Sequence, residues 1–264
     1  MQEELMKSDR FYRENKIFYQ KDLGRGTSFE NHYLEIRKKE NRLYSDHLAM
    51  DLPKIPINHP LKTEWLIRKN SADRLVHYLG RRKNCKSVME VGCGNGWLTN
   101  RLARQLQVEI CGVDINETEL KQAARLFGDH PNVSFLYSDI LAPPFDVRFD
   151  AIILASCIQY FPDLKSLIRQ LLALTGKNGE IHILDSPIYN ERKTALAAQE
   201  RSQEYFRSVS LAGMGHYYFH HTLDALRDFN PRMLHNPRSL SIRFRRRFLL
   251  EALSPFPWLL IKGR

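Results

Sequence analysis

Short apolar runs alternate with helical patterns between residues 86 and 186, and this alternation limits the fold more than any other feature of the sequence. The runs that read as strands, in chain order, are KSVMEV, EICGVD, VSFLY, FDAIILA and EIHILD. Short strands separated by amphipathic helices are typical of βαβ units and a mostly parallel sheet. The run AIILA is apolar at consecutive positions, which indicates a central strand covered on both faces. We therefore predict an α/β fold.

The length and composition predict one domain with appendages. The chain has 264 residues, of which 43% are hydrophobic, and this is enough for one sizeable core. We expect a helical N-terminal extension or cap at residues 1–60 and one α/β domain at 61–264, with a substrate-side insertion around 187–230. Four scattered cysteines argue against a disulfide scaffold. The sequence has neither a long apolar run nor a secretory signal, so we expect a cytoplasmic protein without a membrane span.

A glycine-rich loop, VMEVGCGNGW at residues 88–97, directly follows the first of these strands and opens the first helix. Glycines at 92, 94 and 96 allow a tight turn and let a ligand approach the backbone closely. A dinucleotide-binding fingerprint would need a further glycine at position 97, where this chain has Trp97. The loop therefore predicts a ligand site of a different kind.

Two aspartates follow the next two strands and extend this site. Asp114 lies eighteen residues after Gly96 at the carboxyl end of a strand, where a carboxylate can accept hydrogen bonds from both hydroxyls of a ribose. Asp139 ends the following strand, where it can accept from an adenine amino group, and Ile115 and Ile140 are available to sandwich the ring. This spacing predicts nucleoside binding.

Together, these motifs resemble those of the class I S-adenosylmethionine-dependent methyltransferases of the small-molecule type. The resemblance rests on E-x-G-C-G-N-G at 90–96, GVD at 112–114, SDI at 138–140 and FDAIILASCIQYFPD at 149–163. It covers roughly residues 64–190, and the closing FPWLLIK resembles the last strand of that family. The resemblance implies a Rossmann-like, doubly wound, seven-stranded, mostly parallel sheet with an antiparallel last strand, preceded by the helical N-terminal extension. Residues 61–264 would then form a methyltransferase domain.

The resemblance also implies a cofactor, S-adenosyl-L-methionine, with S-adenosyl-L-homocysteine as the product. Its methionine portion would be held by the glycine loop, its amino group by the backbone after the fourth strand, and its carboxylate by an arginine before the first strand. The residues that match these family positions, together with the ribose and adenine positions, are Arg68, Glu90, Gly92, Cys93, Gly94, Gly96, Asp114, Ile115, Asp139, Ile140, Ala155 and Ser156.

Acceptor-side residues are expected after the fourth strand and in the insertion. The positions there that we predict to face the substrate are Gln159, Tyr160, Tyr189 and Tyr217. His216, His220 and His221 are candidates for a general base, because imidazole titrates close to neutral pH. An alternative is that these histidines and aromatic residues pack a lid over the cleft. No cysteine or carboxylate at suitable spacing accompanies the histidines, so we expect no metal site.

The net charge of +10 is concentrated at one end of the chain. Residues 236–264 hold seven basic and one acidic side chain, and the arginine-rich segment 243–247 lies within the stretch RFRRRFLLEALSPFPWLL. Three interpretations compete: an amphipathic helix docked on the core, an RNA-phosphate patch, and a surface for anionic lipid. We favour the docked helix, because a run of charges is usually a solvated face.

These observations leave three functional hypotheses. The first is a methyltransferase that acts on an oxygen or nitrogen of a small or lipid-like metabolite. The second is an RNA methyltransferase that uses the basic C-terminal segment, and the third is a non-catalytic S-adenosylmethionine-binding regulatory protein. A small-molecule or lipid-like partner is therefore expected ahead of nucleic acid, because no appended RNA-binding module is visible.

Overall fold

A mixed sheet lies at the centre of the computed structural model, which describes residues 9–144 and 146–263. Within those residues the sheet has nine strands in the order β1-β2-β5-β4-β3-β6-β7-β11-β10, and β8 pairs with β9 separately. The strands are β1 (Phe11–Glu14), β2 (Ile17–Gln20), β3 (Ser87–Val91), β4 (Glu109–Asp114), β5 (Val133–Tyr137), β6 (Phe149–Ala155), β7 (Thr175–Leu184), β8 (Ile188–Tyr189), β9 (His221–Thr222), β10 (Arg232–His235) and β11 (Trp258–Lys262).

The centre of the sheet confirms the predicted fold class. Strands β5, β4, β3, β6 and β7 run parallel, and the closing strand β11 inserts antiparallel between β7 and β10. From β3, the next two strands along the chain extend the sheet to one side, and β6 and β7 extend it to the other. This topology places a crevice at the carboxyl ends of β3 and β6.

The sheet has nine strands instead of the predicted seven, because a hairpin forms where the sequence pattern indicated helix. Strands β1 and β2 pair antiparallel, and β2 then pairs parallel with β5 through Ile17 and Phe135. Asn15 and Lys16 both adopt positive φ, as a two-residue hairpin turn requires. The run IFYQ that follows is bulky and buried, which favours a strand. The division of the chain at residue 60 stays a prediction.

Helices cover both faces of the sheet. They are α1 (Ser28–Lys39), α2 (Asp46–Asp51), α3 (Lys62–Gly80), α4 (Trp97–Leu106), α5 (Glu117–Phe127), α6 (Leu164–Ala173), α7 (Arg192–Ser208) and α8 (Leu240–Phe248). Apolar residues of α3, α4 and α5 form one core with the sheet, and those of α6 form the other. No helix among the described residues has the length and apolar character needed to cross a membrane.

Two chain segments, residues 28–52 and 192–218, together cover the carboxyl edge of the sheet, and we call them the cap. They comprise α1, α2, α7 and a 3-10 helix at Ala212–Tyr217. Ile36 of α1 packs with Phe206 of α7 and with Met214 in one apolar cluster. The second segment lies within the predicted insertion around 187–230, whose assignment to the substrate side stays a prediction.

Helix α8 does not dock on the core. None of its residues is buried, so our favoured interpretation of the arginine-rich segment is wrong for this helix. The chain becomes buried again only at Leu253 and Ser254, just before β11. Its apolar residues Leu240, Phe244 and Phe248 are exposed, so the helix does not use them to pack on the core.

Candidate functional site

A cavity of about 530 Å³ lies between the carboxyl edge of the sheet and the cap. Parallel strands end at the same edge of a sheet, so the residues that follow β3, β6 and β7 meet there. Of the residues predicted from the sequence, those that line this cavity are Arg68, Glu90, Gly92, Cys93, Gly94, Ala155, Ser156, Gln159 and Tyr160. We call the part formed by residues 90–95, Ala155 and Ser156 the loop wall.

The glycine loop turns sharply at the end of β3. Gly92, Gly94 and Gly96 all have positive φ. At Gly96 a Cβ atom would lie 2.8 Å from Cβ of Ala123 and 3.0 Å from the ring of Phe135, so this glycine is needed for close helix–strand packing. Gly96 itself is not part of the cavity lining. Gly96 thus shapes the loop, and its predicted role at the cofactor stays a prediction.

Glu90 is a buried carboxyl group at the start of the loop wall. Its Oε2 accepts a 2.5 Å hydrogen bond from Oγ1 of Thr99. Burial raises the pKa of Glu90 to about 8, and the hydrogen bond from Thr99 only partly opposes that rise. A cation bound nearby would favour the ionised carboxylate. The site therefore suits a positively charged ligand group.

Asp114 fixes the glycine loop to the end of β4. Its Oδ2 accepts from the backbone N–H of Gly94 at 2.7 Å, and its Oδ1 accepts from that of Asn116 at 2.8 Å. Burial and the charge of Glu119 raise the pKa of Asp114 to about 6, against these hydrogen bonds. Each carboxylate oxygen keeps a second lone pair, so further hydroxyl donors can still bind.

Helix α1 covers the edge of the sheet beside Asp114. Arg37 pairs with Glu119 at 3.4 Å, and the Glu119 carboxylate lies next to Gly94. Glu30 accepts from the backbone N–H of Glu117 at 2.6 Å, which ties α1 to the start of α5. The predicted nucleoside residues Asp114, Ile115, Asp139 and Ile140 are not part of the cavity lining.

The predicted adenine position is tied to the N-terminal hairpin. The backbone N–H of Asp139 and the hydroxyl of Ser138 both donate to Oε1 of Gln20, at 3.1 and 2.8 Å. Asp139 is partly exposed, whereas Ile140 is buried in the apolar core. Sequence reasoning missed Gln20, because nothing in its local pattern indicated that β2 joins the sheet.

Arg68 lies in the cavity within a network of charged side chains. Its Nε donates to Glu64 at 3.0 Å, and Arg42 binds the same carboxylate through both terminal nitrogens, at 2.6 and 2.7 Å. Burial would raise the pKa of Glu64, but the hydrogen bond from Arg42 and the charge of Arg68 lower it to about 2. Arg42 also pairs with Glu40 at 2.8 Å, so two guanidinium groups and two carboxylates balance one another in this corner.

The cap and Tyr160, which follows β6, form an aromatic wall opposite the loop wall. Tyr33 and Tyr160 meet edge to face with ring centroids 5.4 Å apart, and Tyr160 meets Tyr218 in the same way at 5.7 Å. Tyr205 also lines the cavity. Burial raises the pKa of all four phenols, to about 12 for Tyr205. They therefore stay protonated near neutral pH and can donate hydrogen bonds.

None of the three predicted histidines is part of the cavity lining. His216 is exposed, and Nε2 of buried His221 lies 3.0 Å from the backbone oxygen of Ile158. His220 lies between Oγ of Ser202, at 2.9 Å, and the hydroxyl of Tyr189, at 3.1 Å. Burial, His221 and Arg201 lower the pKa of His220 to about 4. His220 reaches the cavity only through Ser202, which does line it.

Two predicted substrate residues lie behind the lining. Tyr189 binds His220, and Tyr217 packs edge to face against Phe29 with ring centroids 5.5 Å apart. Their places in the lining are taken by Tyr205 and Tyr218 of the same chain region. The aromatic composition was visible in the sequence, but which side chains face the cavity depends on how the 3-10 helix turns.

Several polar atoms in the lining are buried without a hydrogen-bond partner among the described residues. They are Nε of Arg37, Oε2 of Glu119 and Oε1 of Gln159. Buried polar atoms are normally satisfied, so these three point to a polar ligand. Asp185, at the end of β7, also lines the cavity, and burial raises its pKa.

Comparison with known proteins shows which proteins this site resembles. Residues 88–179 match a family model described as a methyltransferase domain. The chain is 24% identical over 142 residues to a malonyl-[acyl-carrier protein] O-methyltransferase of Ilyobacter polytropus, covering 53% of each protein. It is 29% identical over 121 residues to norajmaline N-methyltransferase of Rauvolfia serpentina, covering 44% of this chain and 40% of that one. The chain thus spans about half the length, or less, of these curated relatives.

A solved structure shares the fold over most of the chain. The plantazolicin methyltransferase BpumL, in complex with a monoazolic desmethylPZN analog and SAH, superimposes with a TM-score of 0.55. The match covers 90% of this chain and 95% of that protein, at 18% sequence identity. At this level of identity the likeness is one of fold.

Proposed function

Because the chain carries a domain of the class I S-adenosylmethionine-dependent methyltransferase family, we propose that it transfers a methyl group from S-adenosylmethionine to a small or lipid-like metabolite. The atom methylated would be an oxygen or a nitrogen. One observation carries the proposal: the loop wall and the aromatic wall line the same cavity, so a donor and an acceptor would meet inside it. Methyl transfer needs this arrangement, since the two reactants must be aligned and water excluded.

The loop wall, Arg68 beside it and Asp114 behind it have side chains of the types that the cofactor needs. The sulfonium of S-adenosylmethionine supplies an already activated methyl group. Glu90 would face the ammonium of the methionine portion, and the terminal nitrogens of Arg68 would bind its carboxylate. Asp114 would accept from the ribose hydroxyls while still holding the backbone N–H of Gly94. The buried, raised-pKa carboxyl of Glu90 is the feature that most needs such a cation.

The aromatic wall would orient the acceptor. Tyr33, Tyr160 and Tyr218 offer ring faces and protonated hydroxyls, and Gln159 offers a buried oxygen that has no other partner among the described residues. An acceptor with an apolar or aromatic body and one polar end fits this lining. The relatives named above include one enzyme that methylates oxygen and one that methylates nitrogen, by their names.

If the acceptor is a hydroxyl, a proton must leave it. Asp185 contacts the cavity directly, accepts from Ser71 at 2.8 Å and has a raised pKa. His220 would act only through Ser202, as a positioning residue. Once an acceptor is identified, the pH dependence of kcat/KM separates the two. Asp185→Asn should remove the ascending limb, whereas His220→Ala should keep the limb and change the rate.

The proposal is tested by supplying the full-length protein with cell extract and S-adenosylmethionine labelled in its methyl group. Mass spectrometry should show the label in a small-molecule or lipid fraction, and Asp114→Ala should remove it. Label in RNA would instead support the RNA methyltransferase. No labelled product, despite saturable cofactor binding, would support the non-catalytic regulatory protein and overturn methyl transfer.

A further inference from the structure

Helix α8 and the two leucines after it form an exposed apolar strip, which we call the α8 strip. Its members recur at helical spacing and then continue past the helix end: Leu240, Phe244, Phe248, Leu249 and Leu250. Leu240 is 82% and Leu250 is 85% exposed, and the rings of Phe244 and Phe248 pack on each other with centroids 4.9 Å apart. Five large apolar side chains in water at one place indicate a surface that is covered by a partner.

Arginines flank the α8 strip on both sides. At 100° per residue, Arg243 and Arg247 fall on one side of the line through Leu240, Phe244 and Phe248, and Arg245 falls on the other. Residues 238–250 hold five arginines and no acidic side chain. Among these five arginines, Arg245 alone has an acidic partner among the described residues, Glu251 just after the segment, with nitrogen–oxygen distances of 3.0 and 2.5 Å. The surface is therefore apolar along its middle and strongly positive along its edges.

The opposite side of α8 faces the body of the protein. Ile242 is half-buried. Burial lowers the pKa of His235, the last residue of β10, and the charge of nearby Arg246 contributes to this lowering. After the helix, the backbone oxygen of Ala252 accepts from Asn70 of α3 at 2.8 Å. The chain then reaches Pro255 and Phe256, which line the cavity. The α8 strip thus stands beside the rim of the cavity, held at its C-terminal end.

We propose that the α8 strip is a membrane-docking surface that inserts its apolar side chains into a bilayer containing anionic phospholipid. An amphipathic helix with arginines along its edges binds such a surface by two contributions, apolar burial and attraction between arginine and lipid phosphate. Charge complementarity favours this occupant over a second copy of the chain, because two such strips facing each other would bring like charges together.

The apolar members of the strip also distinguish a bilayer from RNA. Arginines can bind RNA phosphates, and phenylalanine rings can stack on bases. Binding to RNA would not bury the exposed side chains of Leu240, Leu249 and Leu250 in an apolar environment. A bilayer provides both a negative surface and an apolar layer for these leucines. The proposal concerns this surface alone and holds whether or not the cavity transfers methyl groups.

The test is flotation of the full-length protein with vesicles of phosphatidylcholine alone or with about one-third phosphatidylglycerol. Wild type should float with the anionic vesicles and stay behind with the neutral ones. Phe244→Ser with Phe248→Ser keeps every charge, and Arg243→Gln with Arg247→Gln keeps every apolar residue. Each pair should weaken binding by at least about tenfold, since both contributions are needed.

A matched control uses exposed residues of the same types on α7, namely Arg192→Gln with Lys193→Gln, and Leu196→Ser. These variants should bind vesicles within about twofold of wild type. Failure of the wild type to bind anionic vesicles would overturn the proposal. Salt-sensitive RNA binding that is abolished in the double arginine variant and unchanged in the double phenylalanine variant would also overturn it. A dimer in sedimentation that dissociates in the double phenylalanine variant would do the same. All the substituted side chains are exposed, and unchanged circular dichroism would confirm that each variant is folded.

Discussion

The two sides of the cavity differ in how their residues are held. The loop wall follows directly from strand ends, and its groups are fixed by backbone hydrogen bonds such as Asp114 to Gly94. The aromatic wall comes from the cap and from Tyr160 after β6, and the side chains of Tyr33, Tyr160 and Tyr218 pack on one another across separate chain segments. The rigid wall suits a constant ligand, the cofactor, and the packed wall can differ with the acceptor.

The turn that leads from the loop wall into α4 should be intolerant of substitution at Gly96, which packs behind that wall. Gly96→Ala places a Cβ atom against Ala123 and Phe135 in a backbone region that side chains rarely adopt. We expect the free energy of unfolding to fall by roughly 3 kcal/mol, from overpacking and left-handed strain together. Urea denaturation measures this change.

Gly94→Ala is the matched control for that substitution. Its backbone is equally left-handed, but its Cβ atom would meet only the flexible Glu119 carboxylate at 3.3 Å. We expect a loss of about 1 kcal/mol. Equal losses for the two variants would show that the packing behind the loop does not hold the loop wall in place.

Glu90 should make the ligand-free protein less stable as the pH rises. Its pKa is about 8 in the folded protein against 4.5 as the ordinary value, so the folded state binds a proton more tightly than the unfolded state does. The stabilisation is complete below pH 4.5 and is lost between 4.5 and about 8. Glu90→Gln should therefore gain roughly 3.5 kcal/mol over wild type at pH 8 compared with pH 5.

Urea denaturation of both proteins at the two pH values checks this difference. Saturating S-adenosylmethionine should reduce it, since the cofactor's ammonium would stabilise ionised Glu90. If the difference in free energy of unfolding between wild type and Glu90→Gln does not change with pH, Glu90 has an ordinary pKa in the folded protein. Glu90 would then be ionised without a ligand, which would contradict its proposed need for a bound cation.

Substituting the histidines near the cap should lower the free energy of unfolding by smaller amounts, which depend on how deeply each histidine is buried. His221 is buried against the backbone oxygen of Ile158, so His221→Ala should lower the free energy of unfolding by about 1–2 kcal/mol. Exposed His216 serves as the control, and His216→Ala should change it by less than about 0.5 kcal/mol. Thermal or urea unfolding measures both variants. A larger loss of stability for His216→Ala than for His221→Ala would contradict the packing of this region.

The sequence predicted the loop wall because strand ends and positive-φ glycines leave local signals. Glu90, Gly92, Gly94 and Ser156 were all placed from motif order, and the structure brings them to one cavity. The hairpin β1–β2 left no such signal, since its turn uses Asn15 and Lys16 instead of glycine. The fold class was therefore predictable, and the strand count was not.

The aromatic wall could not be predicted residue by residue. Tyr189 and Tyr217 were expected in the lining, which instead contains Tyr205 and Tyr218. Four aromatic rings close together in sequence are equivalent by composition, and tertiary packing decides which of them face inward. The same limit applies to α8, whose pattern fits a docked helix and a membrane-docking helix equally well until burial is known.

The central claim is that the loop wall binds S-adenosylmethionine, and calorimetric titration tests it most directly. Asp114→Asn removes the charge that would hold the ribose, and Asp150→Asn removes a similar carboxylate that binds Lys86 and Ser87 at the start of β3. We predict saturable binding by wild type, a loss of about a hundredfold in affinity for Asp114→Asn, and no change for Asp150→Asn. Equal affinity of all three proteins for the cofactor would contradict the account.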